Sequence, residues 1–138
     1  MSQAELGYRG GCACGALRYR LNVEATQCCY CHCESCRNAT GAVFVAWATF
    51  PTVAFELTGS GLRIRRSSKH AKRGFCGACG TQMTYAHDKR PGEFDLAVAT
   101  LDNPDSLPPQ FHIWVSEKPS WAVIGDELPQ YSGWKRDG

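Results

Sequence analysis

The chain lacks both a strong charge imbalance and a long hydrophobic run. Its 15 basic residues are balanced by 13 acidic residues, which gives a net charge of +2. That balance argues against a large phosphate-binding face and therefore against a nucleic-acid partner. The longest apolar stretch, AVFVAWATF at 42–50, is far shorter than the roughly 20 residues needed to cross a bilayer. We therefore expect neither a nucleic-acid partner nor a membrane span.

The first residues, MSQAELGYRGG, also lack the basic start and the apolar run of about 7 to 15 residues that a secretory signal requires. We therefore expect a cytoplasmic protein. A reducing compartment disfavours a disulfide framework, and nine cysteines, an odd number that cannot all pair, indicate metal binding or catalysis instead. The length of 138 residues predicts a single domain over residues 1–138.

Strand signals dominate the chain. In GALRYRL, Leu17, Tyr19 and Leu21 alternate with two arginines, which is the period-two pattern of a strand with one buried face. Similar short segments, rich in β-branched or aromatic residues, lie at 42–50, 52–57, 62–67, 81–87, 93–101 and 110–116. We therefore predict a mainly β fold.

Only ESCRNATG is typical of a helix, because Glu34 falls in its first turn and Gly41 can end it. The tail from Pro104 onward is rich in proline and carries Trp114, Trp121 and Trp134. We expect this tail to wrap the sheet rather than form a second domain.

Four cysteines form two pairs, Cys12 with Cys14 and Cys76 with Cys79. The sequence CGACG is typical of a zinc knuckle, whose glycines let backbone amides hydrogen-bond the thiolate sulfurs. Cys12 and Cys14 are alternate residues, which point the same way on a strand, so they are the best-spaced source of two more ligands. Four thiolates close a tetrahedral shell, so these cysteines are predicted to hold a structural zinc.

A third group lies in CCYCHCESC, residues 28–36. Within it, Cys31, Cys33 and Cys36 supply three ligands at compact spacing. Three protein ligands with one exchangeable position form the catalytic pattern for zinc. The spacing therefore predicts an active-site zinc at these three cysteines.

Cys28 and Cys29 leave an alternative open, because one of them could close the fourth position of this zinc. Adjacent residues on a strand face opposite sides, so at most one of the two can point toward the metal. The spacing favours the open site. His32 lies between two ligands and is expected to face away from them as a non-ligand.

The motifs GGCACGALRY, CHCESCRNATG, GFCGACGTQMTY and FHIWVSEKPSW occur in this order. Together they resemble the glutathione-dependent formaldehyde-activating family, which also includes centromere protein V domains, over roughly residues 8–125. The resemblance implies a β-tent fold of packed antiparallel sheets stabilised by a structural zinc at the two cysteine pairs. It also implies an active-site zinc at the central three cysteines, and so two zinc ions per chain.

The activity implied by this resemblance is that of a carbon-sulfur lyase of the S-(hydroxymethyl)glutathione synthase type. It condenses formaldehyde, or a related aldehyde, with glutathione or another thiol, so the partners are a small-molecule thiol and an aldehyde. Zinc would bind the substrate thiol and lower its pKa so that the thiolate persists at neutral pH. The competing interpretations are another thiol-handling lyase and a non-catalytic, zinc-stabilised interaction module.

Carboxylates on the substrate would need cationic partners, and Arg37, directly after the last ligand, is the nearest candidate for substrate binding. The segment RIRRSSKHAKR, residues 63–73, offers further positive charge. Its more ordinary interpretation is a solvated strand and turn. His112, Trp114 and Trp121 match a tail motif of the family, and buried aromatics in a small β core explain them equally well.

Overall fold

The structure is a computed structural model and describes residues 7–135. Within them the chain forms ten β-strands, one α-helix and four short 3-10 helices. The strands are β1 (Tyr8–Gly11), β2 (Leu17–Leu21), β3 (Gln27–Cys31), β4 (Val45–Pro51), β5 (Glu56–Gly59), β6 (Leu62–Arg66), β7 (Ala71–Cys76), β8 (Gln82–His87), β9 (Glu93–Ala97) and β10 (His112–Ile113). The α-helix is α1 (Glu34–Thr40), and the 3-10 helices are Thr52–Ala54, Val98–Thr100, Pro104–Ser106 and Val115–Glu117. No helix within residues 7–135 combines the length and the apolar character that crossing a bilayer requires.

The strands form two sheets. β1, β2 and β5 make a three-stranded antiparallel sheet with β2 in the centre. The other strands form a seven-stranded sheet in the order β10-β3-β4-β9-β8-β7-β6. This sheet is antiparallel except at its edge, where β10 pairs with β3 in parallel because the tail returns alongside β3. The mainly β prediction with packed sheets is confirmed.

β2 shows how an alternating sequence selects a buried face. Leu17, Tyr19 and Leu21 are buried, whereas Arg18 and Arg20 between them are exposed. The apolar residues lie on one side of the strand because strand side chains alternate. The observed strand lies within the segment that the alternation predicts and buries the predicted face.

Other observed strands differ from the predicted segments. The segment 52–57 begins as a 3-10 helix, the segment 93–101 leaves the sheet after Ala97, and the segment 110–116 contributes only the two residues of β10. The pattern misses β1, β3 and β7 entirely, because their glycines, cysteines and charged residues interrupt the run of β-branched side chains. Strand propensity therefore located the apolar strands better than β1, β3 and β7, which carry or adjoin the grouped cysteines.

The seven-stranded sheet separates two clusters of buried side chains. One face packs against the three-stranded sheet and holds the larger core, which includes Cys28 and Phe50. The opposite face holds a smaller cluster, which includes Cys29, Cys31 and Trp47. Adjacent cysteines of β3 therefore lie on opposite sides of the sheet, as strand geometry requires.

α1 confirms the predicted helix. The Sγ atom of Cys33 caps its N-terminus by accepting a hydrogen bond from the backbone N–H of Cys36 at 3.3 Å. Gly41 ends the helix with φ of 74°, a left-handed conformation that glycine adopts without a steric penalty. The capping contact holds these two cysteines together at the start of the helix.

The tail packs along the seven-stranded sheet through β10, and Gln130 returns to form a parallel bridge with His112. The side chain of His112 is buried, which agrees with a core role. Trp121, in contrast, is 71% exposed, so the core interpretation is wrong for this residue. Its segment lies between β10 and the bridge at Gln130 and is not itself part of the sheet.

The two sheets approach each other closely at β1. Gly10 pairs with Tyr19 inside the small sheet and also forms a bridge with Leu101, just beyond β9. The Tyr19 hydroxyl lies 2.7 Å from the Thr100 hydroxyl and forms a hydrogen bond across the junction. A Cβ atom on Gly10 would overlap the Tyr19 hydroxyl and the Thr100 carbonyl oxygen. The junction therefore requires glycine.

We predict that Gly10→Ala lowers the free energy of unfolding by about 2 kcal/mol, because the added methyl group has no space at the junction. Chemical denaturation followed by circular dichroism measures the effect. Gly125→Ala is the matched control, since a Cβ atom there meets nothing within 4 Å. Equal unfolding midpoints for the two variants would contradict the close approach of the sheets.

Candidate functional site

The structure brings the two cysteine pairs together at the junction of the sheets. Cys12 follows β1 and Cys76 ends β7, and their Sγ atoms lie with those of Cys14 and Cys79 within 4.8 Å of one another. The Sγ atom of Cys14 is 3.6 Å from that of Cys12 and 3.9 Å from that of Cys76. A tetrahedral zinc with Zn–S bonds of about 2.3 Å requires sulfur atoms about 3.8 Å apart. The donor set and the spacing fit a zinc ion.

Hydrogen-bond donors surround these sulfur atoms. The backbone N–H of Leu17 donates to the Sγ atom of Cys12 at 3.3 Å. The hydroxyl of Thr81 lies 3.1 Å from the Sγ atom of Cys79, and this contact lowers the pKa of Cys79 to about 5. Such donors stabilise thiolates and orient them, which is the role of the outer shell of a metal site.

The structure also brings Cys31, Cys33 and Cys36 together, with their Sγ atoms within 4.8 Å of one another. Cys31 is the last residue of β3, and the other two belong to the cap and first turn of α1. Hydrogen bonds from Cys31 and Cys36 lower the pKa of Cys33, whereas the contact with Cys33 raises the pKa of Cys31. Cys33 is therefore the first thiolate of the cluster.

The two neighbouring cysteines stay outside this cluster. Cys28 lies in the core on the opposite face of the sheet, where its thiol donates to the carbonyl oxygen of Leu107 at 3.5 Å. Cys29 faces the same side as Cys31, but its Sγ atom is not part of the group, and burial raises its pKa to about 12. Among residues 7–135, no fourth Cys, His, Asp or Glu belongs to the cluster.

His32 is buried away from the three cysteines. Its Nε2 atom lies 2.8 Å from Nδ1 of His112, and Nε2 of His112 lies 3.0 Å from both carboxylate oxygens of Asp126. Burial lowers the pKa of His32 to about 4, so the ring is neutral. The structure therefore places His32 in a hydrogen-bonded chain that supports β10 and not in the cysteine cluster.

The three cysteines open onto a cavity of about 350 Å³ on the face of the sheet opposite the main core. Its wall combines four aromatic side chains with four cysteines and seven polar or charged side chains. The aromatic residues are Trp47, Tyr85, Trp114 and Trp134, and the polar residues include Thr49, Arg90, Asp95 and Glu117. Aromatic walls combined with fixed polar groups suit a small molecule that has both apolar and polar parts.

Arg73 is a buried cation beside the central cluster and is only 2% exposed. Its Nη2 atom donates to the hydroxyl of Ser35 at 3.0 Å and to the Sγ atom of Cys36 at 3.6 Å. Its guanidinium carbon lies 4.7 Å from the ring centroid of Tyr85. The interpretation of segment 63–73 as a solvated strand and turn is therefore wrong for Arg73. The sequence signal that could have identified Arg73 as buried was its position two residues after Ala71, which places both side chains on the same face of β7.

Arg37 lies outside the wall of the cavity. Its Nη2 atom donates to the backbone carbonyl of Glu117 at 3.2 Å. The side chain of Glu117 accepts a hydrogen bond from the backbone N–H of Glu34 at 2.8 Å and lines the cavity. Arg37 thus contacts the backbone of a residue that lines the cavity, and its role in substrate binding stays a prediction.

Asp95 and Arg90 form a charged part of the cavity wall. Asp95 is buried, accepts a hydrogen bond from the Thr49 hydroxyl at 2.7 Å, and pairs with Arg90 at 2.6 Å. It lies between Phe94 and Leu96 of the main core, so the alternation of β9 turns this one carboxylate toward the cavity. The pair places a fixed charge network in the wall without leaving a net charge there.

The model of one known family, described as glutathione-dependent formaldehyde-activating enzyme, matches residues 7–117. The chain belongs to this family. An uncharacterized lyase from Schizosaccharomyces pombe is 24% identical over 132 residues, which cover 91% of this chain and 90% of that protein. The crystal structure of a Rhodobacter sphaeroides protein matches with a TM-score of 0.59 and 23% identity, covering 88% of this chain and 98% of that chain. The latter likeness concerns the fold, and family membership supports a lyase.

In this member of the family, Asp95→Asn is predicted to lower the free energy of unfolding by about 2 kcal/mol, because it removes the closer of the two carboxylates that pair with the partly buried Arg90 and leaves it only Glu93 at 3.5 Å. Thermal unfolding measures the change. Asp102→Asn is the matched control: its ion pair with Arg18 is about half exposed, so its loss should cost no more than about 1 kcal/mol. Equal losses in both variants would rule out a fixed charge network in the cavity wall.

Proposed function

We propose that the chain is a zinc-dependent carbon-sulfur lyase that joins formaldehyde, or a related aldehyde, to glutathione or another thiol in a reversible reaction. The observation that carries the proposal is the convergence of Cys31, Cys33 and Cys36 on a cavity, with no fourth ligand from residues 7–135. Membership of the family supports it, as does the name of the yeast relative.

Zinc suits both cysteine clusters, because thiolates are among its preferred ligands and it accepts either four protein ligands or three with an open position. The four paired cysteines would hold a structural ion and the central three an active-site ion. Zinc at the central site would stabilise a substrate thiolate at neutral pH. The remaining steps fall to side chains of the protein.

Arg73 adjusts the charge of the central site. Three thiolates and one divalent cation leave one excess negative charge, and a buried charge is unfavourable unless it is compensated. Arg73 is buried and in contact with Cys36, so its positive charge makes the assembly neutral. A neutral assembly accepts a substrate thiolate with less repulsion than an anionic one.

The addition forms a bond between the thiol sulfur and the aldehyde carbon, while the thiol loses its proton and the carbonyl oxygen gains one. Tyr85 lines the cavity, and burial raises its pKa, so it keeps its proton and donates a hydrogen bond to the carbonyl oxygen. Trp47 and Trp114 limit access of water to the reacting atoms. Holding both reactants in one small cavity lowers the entropic cost of their encounter.

Removal of one cysteine ligand is predicted to affect folding and zinc content differently in the two clusters. Purified wild-type protein should contain two zinc ions, and Cys36→Ser should stay folded with about one. Cys79→Ser should unfold, because a four-thiolate site contributes on the order of 10 kcal/mol to folding. Elemental analysis and circular dichroism measure the two properties.

Cys28→Ser is the control for these variants, since Cys28 is buried but belongs to neither cluster. It should retain both zinc ions. A wild-type content near one ion, or equal unfolding of the Cys36 and Cys79 variants, would remove the active-site zinc from the proposal.

Arg73→Met should slow the reaction at least about tenfold, because the buried charge beside the cluster is lost. Exchange of formaldehyde with glutathione, followed by NMR, measures the rate in zinc-loaded protein. Arg73→Lys keeps the charge and should therefore retain part of the rate that Arg73→Met loses. Arg37→Met should have the smaller effect, since Arg37 does not line the cavity.

Two results would count against this mechanism. If Arg37→Met slowed exchange more than Arg73→Met, then Arg37 rather than Arg73 would be the cation that supports the reaction. Failure of the folded, zinc-loaded wild-type protein to accelerate exchange would refute the lyase and favour a zinc-stabilised interaction module.

A further inference from the structure

A second cavity of about 720 Å³ adjoins the one that holds the cysteines. Four residues line both cavities: Gln27, His87, Arg90 and Trp134. The two spaces are therefore neighbours on one face of the sheet. The outer cavity is large enough for the rest of a ligand whose thiol lies at the cysteines.

The two cavities differ in charge. The inner cavity has the carboxylates of Asp95 and Glu117 in its wall, whereas the wall of the outer cavity contains Lys89, Arg90 and Lys135 and no acidic residue among those the structure describes. Arg90 is already paired with Asp95 at 2.6 Å. The two lysines therefore supply the excess positive charge of the outer cavity.

Both lysines are held near this cavity. The backbone N–H of Lys89 donates to Nδ1 of His87 at 3.1 Å, which fixes the turn after β8. The Nζ atom of Lys135 lies 4.9 Å from the ring centroid of Phe111. Neither lysine forms an ion pair with another residue in the range 7–135. Their charges are available to a ligand.

We propose that the outer cavity recognises an anionic group on the thiol substrate, and that Lys89 and Lys135 select anionic thiols over neutral ones. This inference rests on the proposed function for the position of the thiol. A carboxylate or a phosphate satisfies the same two ammonium groups, because both groups carry negative charge and accept hydrogen bonds.

The test measures binding of probes that lack a free thiol to zinc-loaded wild-type protein by ligand-observed NMR. One pair of probes is N-acetyl-S-methylglutathione and its diamide, and the other is S-methyl phosphopantetheine and S-methyl pantetheine. The anionic member of at least one pair should bind about tenfold more tightly than its neutral partner, as expected for two charge-assisted contacts at a partly solvated site. The pair with the larger difference identifies carboxylate or phosphate.

The double variant Lys89→Gln with Lys135→Gln should lose this preference. The double variant Lys69→Gln with Lys72→Gln removes the same charge from exposed residues outside both cavities and should keep it. Equal affinity of wild-type protein for the members of both pairs, or a preference that survives the first double variant, would overturn the proposal. Charge-selective binding without formaldehyde exchange would refute the proposed lyase and leave the anion site intact.

Discussion

The convergence of four cysteines between the two sheets is the constraint on which the rest of the structure depends. Cys12 follows a strand of the small sheet and Cys76 ends a strand of the large one, so their cluster joins parts of the chain that are distant in sequence. Gly10, two residues earlier, allows the sheets to approach closely enough for this contact. Once the sheets are joined, the larger sheet has one face buried in the core and one face available for a site.

The alternation of side chains along the strands then determines which residues face the core and which face the cavity. β3 turns Cys28 into the core and Cys31 toward the cavity, and β9 turns Asp95 to the cavity between two core residues. Because this division follows from strand geometry, the cysteine spacing and the β2 alternation were sufficient to predict both clusters and the main fold class. The helix after Cys33 was also predictable, since its first turn and its final glycine are local signals.

The remaining parts of the site depend on contacts between distant segments. Arg73 lies in a basic stretch that is typical of a solvated strand, and only the pairing of β7 inside the large sheet places it beside Cys36. Arg37 is adjacent to a cysteine in sequence, yet its guanidinium contacts the backbone of Glu117. Sequence proximity therefore did not reveal Arg73 as the cation that contacts the cluster, because that contact depends on burial and strand pairing.

The environments of the two clusters explain why only one of them has a buried arginine. Cys14 and Cys79 are exposed, so water screens the charge of the four-cysteine cluster. The central cysteines are mostly buried, so water would compensate three zinc-bound thiolates poorly there, and Arg73, in contact with Cys36, would supply the compensating charge. With zinc bound as proposed, the positive charge of Arg73 neutralises the site before substrate binds. It does not compensate the negative charge that a substrate thiolate adds. An anionic thiol therefore benefits from further cations outside the inner cavity, which is where Lys89 and Lys135 lie.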